Sequence, residues 1–205
     1  MASLILAFPR KEHFYAVSFH KDIFFWELRF AYMQKINLRI DQLTRSVTHR
    51  QTGESFKTKF IEVDQKYLLQ NKKRLNCLFD WNSEVTTKGR SIFRLVLTEY
   101  EMNVIGMISI QTYEDHIFVY LVERIGGRKT PFIGVGGNLF AFACKLAFEK
   151  SLNGNVAFLP KTKLIDHFSV TLGAVLLLNG RMGILEAAAL KLVKTYFPDE
   201  KIGQQ

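Results

Sequence analysis

The sequence predicts an α+β domain with a helical extension in front of it. Three observations carry this: a run of helical periodicity ahead of residue 50, three β-rich segments in close succession from Ser91, and an alternation of helix and strand patterns after them. In the first run, Phe25, Leu28, Tyr32, Ile36, Ile40, Leu43 and Val47 fall at steps of three and four, with Arg29, Lys35, Arg39 and Asp41 on the opposite face. This predicts one long amphipathic helix from Ile23 to Val47, within an extension spanning residues 1–50. The folded domain is expected over residues 51–205.

Gln51, Thr52, Gly53 and Glu54 form a turn signal, and the alternating run from Phe56 to Glu62 reads as a strand. Gln65 to Arg74 fits a short helix. The segments Ile92 to Tyr100, Val104 to Tyr113 and His116 to Val122 are separated only by Glu101-Met102-Asn103 and by Glu114-Asp115. Breaks this short join neighbouring antiparallel strands, so the three form a meander. A helix apolar on most sides follows from Gly137 to Lys150, the mark of a buried helix. Asn153-Gly154 is a turn, Asn155 to Leu159 a strand, and Thr162 to Leu172 a helix that Gly173 caps. Ala174 to Leu178 and Arg181 to Ile184 make a hairpin about Asn179-Gly180. In the last helix Leu185, Ala188, Ala189, Leu192, Val193 and Tyr196 share one face, and Pro198 stops it.

Composition narrows the function class. With 205 residues, 48% hydrophobic, only 4 prolines and no low-complexity tract, the chain has the material for a packed core. The apolar stretch Leu4 to Phe8 is too short for a secretory signal and ends at Pro9, Arg10 and Lys11; no run reaches the roughly 18 apolar residues of a membrane span, so a cytoplasmic protein is expected. Cys77 and Cys144 are the only cysteines; neither a disulfide nor a metal site is expected from them. The net charge of +9 is dispersed, with local groups at Lys72, Lys73, Arg74 and at Lys161, Lys163. It reads as solvated surface, with contact to the phosphates of a cofactor as the sharper alternative; without an aromatic-interleaved stripe, nucleic acid is not the expected partner. No GxSxG elbow is present, and Cys144 lies within the buried helix, so a nucleophilic enzyme is not indicated.

The residues with chemical content are Gly134, Val135, Gly136 and Gly137, between the third meander strand and the buried helix. Glycines there let a ligand approach the backbone, and a helix N-terminus offers unpaired N–H donors and a positive dipole end, a setting for pyrophosphate; the same glycines also serve a merely tight turn. Neither GxxxxGK[ST] nor a GxGxxG loop in a parallel βαβ unit is present.

Two stretches carry a resemblance. Pro131-Phe132-Ile133-Gly134-Val135-Gly136 resembles the (R/Q)xxGx(G/A) loop of the GNAT superfamily of acyl-CoA-dependent N-acyltransferases, with Pro131 in the leading position. Leu164 to Ala174 is similar to the superfamily's "A..FYEKLGF" helix and strand start. The likeness spans Ile92 to Arg181, with Phe56 to Val63 as a first strand, and implies a mixed, mainly antiparallel twisted sheet flanked by helices. It further implies acetyl-CoA as acyl donor, an amine as acceptor, and direct attack of the amine on the thioester. Main-chain groups of Gly134, Val135, Gly136, Gly137 and Asn138 would hold the pyrophosphate, with Val122, Ile133 and Phe168 beside the cofactor. The strand His116 to Val122 would splay from Asn155 to Leu159 to admit the pantetheine arm. Glu123 takes the place of the general base; as a plain strand-end carboxylate it would face solvent or pair with Arg124 or Arg128. Ser169 stands where the superfamily's acidic Tyr is expected, with His167 the nearest titratable group. The acceptor site would draw on parts of Thr48 to Gly89 and Leu176 to Met182. The alternative is a non-catalytic acyl-CoA sensor whose Ile23 to Val47 helix binds a partner or a second copy in a homodimer.

Overall fold

A hairpin opens the described part of the chain: in this computed structural model, residues 42–198 are described. Strand β1 (Gln42–His49) turns through residues 50–53 into β2 (Ser55–Val63), with Val47 opposite Phe56. Gly53 takes φ +68° in this turn and donates its N–H to His49 O, at 2.9 Å. The helix expected over Ile23 to Val47 is therefore corrected over Gln42 to Val47; its earlier part lies outside the described residues. Gln42 to His49 contains the β-branched Thr44, Val47 and Thr48, which favour a pleated surface, and the adjacent turn gives them a partner strand at once.

Helix α1 (Gln65–Leu75) is capped by Asp64, whose carboxylate accepts from Tyr67 N–H at 2.7 Å, and ends at Asn76 in the left-handed region. A second helix, α2 (Trp81–Thr86), capped by Asp80, was not legible as a pattern because six residues hold less than two turns of periodicity. The meander follows as expected: β3 (Ser91–Leu97), β4 (Tyr100–Thr112) and β5 (Ile117–Arg124), all antiparallel. The first break falls at Thr98-Glu99 rather than at Glu101 to Asn103, and Tyr100 already pairs with Leu97. After β5 the chain crosses to the far edge of the sheet, where β6 (Phe132–Ile133) pairs with β1, and then enters α3 (Val135–Glu149).

Strand β7 (Val156–Phe158), helix α4 (Ile165–Leu172), strands β8 (Val175–Leu176) and β9 (Met182–Ile184), and helix α5 (Glu186–Tyr196) complete the unit. Gly173 caps α4 in the left-handed region, as expected. Among the described residues nine strands form one sheet in the order β6-β1-β2-β3-β4-β5-β7-β9-β8, in which only β5 and β7 run parallel. The architecture is the α+β class expected, a mixed and mainly antiparallel sheet with helices on its faces.

Helix α3 is the centre of one face. Its Leu139, Ala141, Ala143, Cys144 and Ala147 are fully shielded, and Phe142 stacks on Phe60 of β2 with ring centroids 3.8 Å apart. Helix α5 covers it with Ala189, Leu192 and Val193. The opposite face is closed by α1 and α2, through Leu68, Leu75 and Trp81 packed on Val63, Ile92 and Met107. Both faces of β4 are therefore covered, and Ile105 to Ile110 are all buried.

Candidate functional site

Two features of β5 set the site. In the β4–β5 ladder Ser109 pairs with Leu121 while Ile110 pairs with Val119, so Tyr120 is an extra residue, a β-bulge. On its other side β5 pairs with β7 only through Ile117–Val156, Phe118–Ala157 and Val119–Phe158. Pairing stops where the bulge begins. From Tyr120 onward β5 has no described strand on that edge, and β7 ends at Phe158.

The N-terminus of α3 stands over the same end of β5. Gly106 of β4 faces Arg124 in register, and a Cβ there would lie 2.8 Å from Val135 Cγ1 and 3.1 Å from Leu139 Cδ1. Only glycine lets the first turns of α3 sit this close to the sheet. Gly134 is the N-cap, at φ +86°, and no side chain caps it. Asn138 N–H donates to Gly134 O at 2.9 Å, which leaves the N–H groups of Gly134, Val135, Gly136 and Gly137 without helical partners.

These residues are not equivalent. Gly136 is exposed, and nothing lies within 4 Å of a Cβ built on it. A Cβ on Gly137 would come 2.1 Å from Tyr196 Oη, so Gly137 is required by the packing of α5. Val135 is buried under the helix. Asn138 lies deeper than its expected role requires: it is fully buried, its amide N–H is taken by Gly134, and its Nδ2 donates to Thr58 Oγ1 at 3.3 Å. Its contribution is to fix α3 on β2. Ile133 is exposed in β6, and Pro131, in the place of an Arg or Gln, accepts from Arg50 N–H through its carbonyl at 2.7 Å.

Glu123 is not at the surface. It points to the face covered by α1 and α2 and is 3% exposed; Leu78 N–H donates to Oε1 and Trp81 Nε1–H to Oε2, each at 2.7 Å. On α4, His167 and Ser169 lie on the exposed side, while Phe168 turns inward against Phe140 and Phe158 at 5.7 and 5.1 Å between centroids. Val122 lies on β5 two residues beyond the bulge, opposite Ile108.

Tyr196 was legible only as part of an apolar helix face. Its phenol lies at the first turn of α3, and burial raises its pKa above the ordinary phenol value, so it remains protonated. Neither cysteine is poised for chemistry. Burial, aided by the charge of Glu123, pushes the Cys77 thiol up to about 11, and burial raises Cys144 further. Among the described residues no group of His, Cys, Asp and Glu has the makings of a metal site, and no helix is long and apolar enough to cross a membrane.

No protein-family model matches the sequence, and no curated protein is similar to it. Solved structures similar in chain path include AtaTR bound with AcCoA, at TM-score 0.48 and 18% identity, over 66% of this chain and 97% of that one. A chimera of the spermidine N-acetyltransferase SpeG from Vibrio cholerae and hSSAT follows at TM-score 0.46 and 14% identity, over 65% and 98%. The ribosomal-protein-S18-alanine N-acetyltransferase from Escherichia coli stands at TM-score 0.45 and 10% identity, over 62% and 93%.

Proposed function

We propose that the protein is a GNAT-type N-acetyltransferase, which takes an acetyl group from acetyl-CoA and passes it to an amine by direct attack. The observation that carries this reading is the end of β5–β7 pairing after Val119, beside a helix N-terminus whose leading N–H groups have no helical partner and no side-chain cap. An extended thioester needs such a slot, and its pyrophosphate needs such donors.

Gly134, Val135, Gly136 and Gly137 hold the pyrophosphate through the backbone, and exposed Gly136 leaves room for a phosphate oxygen. The pantetheine arm lies between β5 and β7. Ile117 N–H reaches Asn155 O on the β7 side. Alternation from Ile117 through the one-residue bulge aims the amide of Val122 into the slot, where it adds a strand-like hydrogen bond to the arm. Phe168, packed on Phe158 at the end of β7, closes the slot's floor. The acetyl group supplies the electrophile; the chain contributes orientation, worth several orders of magnitude in rate when the amine is held in line. The amine attacks the thioester carbonyl, the C–N bond forms, the C–S bond breaks, and the proton lost by nitrogen balances the thiolate that leaves. A thiol ionises near about pH 8.5, so the thiolate departs without help from an acid at Ser169 or His167.

Acetyl transfer to a panel of phenethylamine, spermidine and an alanine-ended peptide, followed by release of free thiol, tests the reading. Release that depends on the amine supports an enzyme. Tight cofactor binding with no transfer to any of the three favours a non-catalytic acyl-CoA sensor instead.

A further inference from the structure

We infer that Glu123 is a positioning residue that pins the segment between α1 and α2 as a wall of the acceptor side, and that it does not remove the proton from the amine. The inference rests on the acetyltransferase reading above. Its grounds are geometric. The carboxylate is buried to within 3% of full exclusion, and each oxygen already accepts one N–H at 2.7 Å. Two short hydrogen bonds to one carboxyl group fix its orientation. Both oxygens are turned toward the loop amide and the Trp81 indole, so the carboxylate faces the protein interior rather than an incoming amine.

The two donors are 3 residues apart, and they sit 45 and 42 residues away from Glu123 in sequence. They bracket Phe79 and Asp80, in a stretch that begins at Asn76 in the left-handed region and ends at the N-terminus of α2. Trp81 is at the same time part of the core formed with Val63, Leu68, Leu75, Ile92 and Met107. Glu123 therefore joins the last turn of β5 to both a core side chain and a loop amide. Leu78 and Phe79 project outward from the pinned loop, and Leu78 Cδ1 reaches the Gly127 turn that follows β5. The loop thus borders the end of β5 beyond its last pair with β7, the side that the acetyltransferase reading gives to the amine.

The test compares Glu123→Gln with Trp81→Phe in the full chain. The first replaces a two-acceptor carboxylate by an amide that can satisfy only one of the two donors; the second removes one donor and leaves the carboxylate in place. Three readouts are taken: hydrogen exchange at the Leu78 amide, the Kd for acetyl-CoA, and the pH profile of kcat/KM with whichever amine of the panel wild type uses fastest. Pinning predicts faster Leu78 exchange and an acceptor KM raised by about tenfold in both variants, with the acetyl-CoA Kd and the shape of the pH profile unchanged. A drop in kcat of about 100-fold or more and loss of one limb of the pH profile in Glu123→Gln, with Trp81→Phe like wild type, overturns the inference and makes Glu123 the base. Failure of wild type to bind acetyl-CoA is a separate result. It removes the acetyltransferase reading, whereas unchanged Leu78 exchange in both variants removes the pin itself.

Discussion

Replacing Gly136 by aspartate is expected to abolish acetyl-CoA binding while leaving the fold at least as stable as in the wild type. The two halves of this expectation have different origins. For the fold, Gly136 is exposed, a Cβ on it meets nothing within 4 Å, and it lies in the first turn of α3. A carboxylate at a helix N-terminus is favourable by about 0.3–1 kcal/mol, and loss of a helical glycine adds to that. For the ligand, the same carboxylate stands where phosphate oxygens must come, and like charges brought together at an interface cost several kcal/mol. A rise in Kd of about 100-fold or more, near 2.7 kcal/mol, is expected. Calorimetry and a thermal melt on the same sample check both halves. A Gly136→Asp protein that binds acetyl-CoA as wild type does would show that the pyrophosphate lies elsewhere.

Gly106→Val should instead damage fold and site together. Gly106 is where α3 rests on β4, and the added Cβ alone would press on Val135 Cγ1 at 2.8 Å and on Leu139 Cδ1 at 3.1 Å. Both neighbours are buried side chains of the helix, so α3 must rise from the sheet at its N-terminal end. Overpacking of this kind costs about 1–3 kcal/mol. For a domain of this size that is a fall in Tm of about 3–10 °C. The lifted turn carries the Gly134 to Gly137 amides with it, so acetyl-CoA binding should weaken as well, by about tenfold or more. Unchanged Tm and unchanged Kd would mean that the close approach of α3 to β4 is not what positions the glycine loop.

The contrast between Gly106, Gly136 and Gly137 marks how far the sequence could be read. The glycine loop before a buried helix, the meander and the last helix were legible because each is a local pattern. Which glycine serves a ligand and which serves packing was not: Gly137 is required by Tyr196, 59 positions later, and Gly106 by a helix that begins at Val135. The bulge at Tyr120 was hidden for a similar reason, since it exists only in the register between β4 and β5. Residues 42–47 satisfied a helical spacing through Leu43 and Val47 yet form a strand, because two apolar residues four apart fit either period over so short a stretch. Glu123 entered only through the resemblance, which matches it to the superfamily's strand-end base; its place at a strand end alone reads as a solvent-facing carboxylate. Its partners, Leu78 N–H and Trp81 Nε1–H, come from a segment without a periodic pattern, and they turn a solvent-facing carboxylate into a buried one.

The central claim is that the N-terminus of α3 and the neighbouring ends of β5 and β7 form an acyl-CoA site, and calorimetric titration with acetyl-CoA, with dephosphorylated pantetheine as the control, tests it most directly. The account predicts binding of about micromolar Kd, near −8 kcal/mol, that is lost in the control because the Gly134 to Gly137 amides have no phosphate to hold. Absence of acetyl-CoA binding, or equal binding of the phosphate-free compound, would contradict it and reduce the glycine loop to a turn.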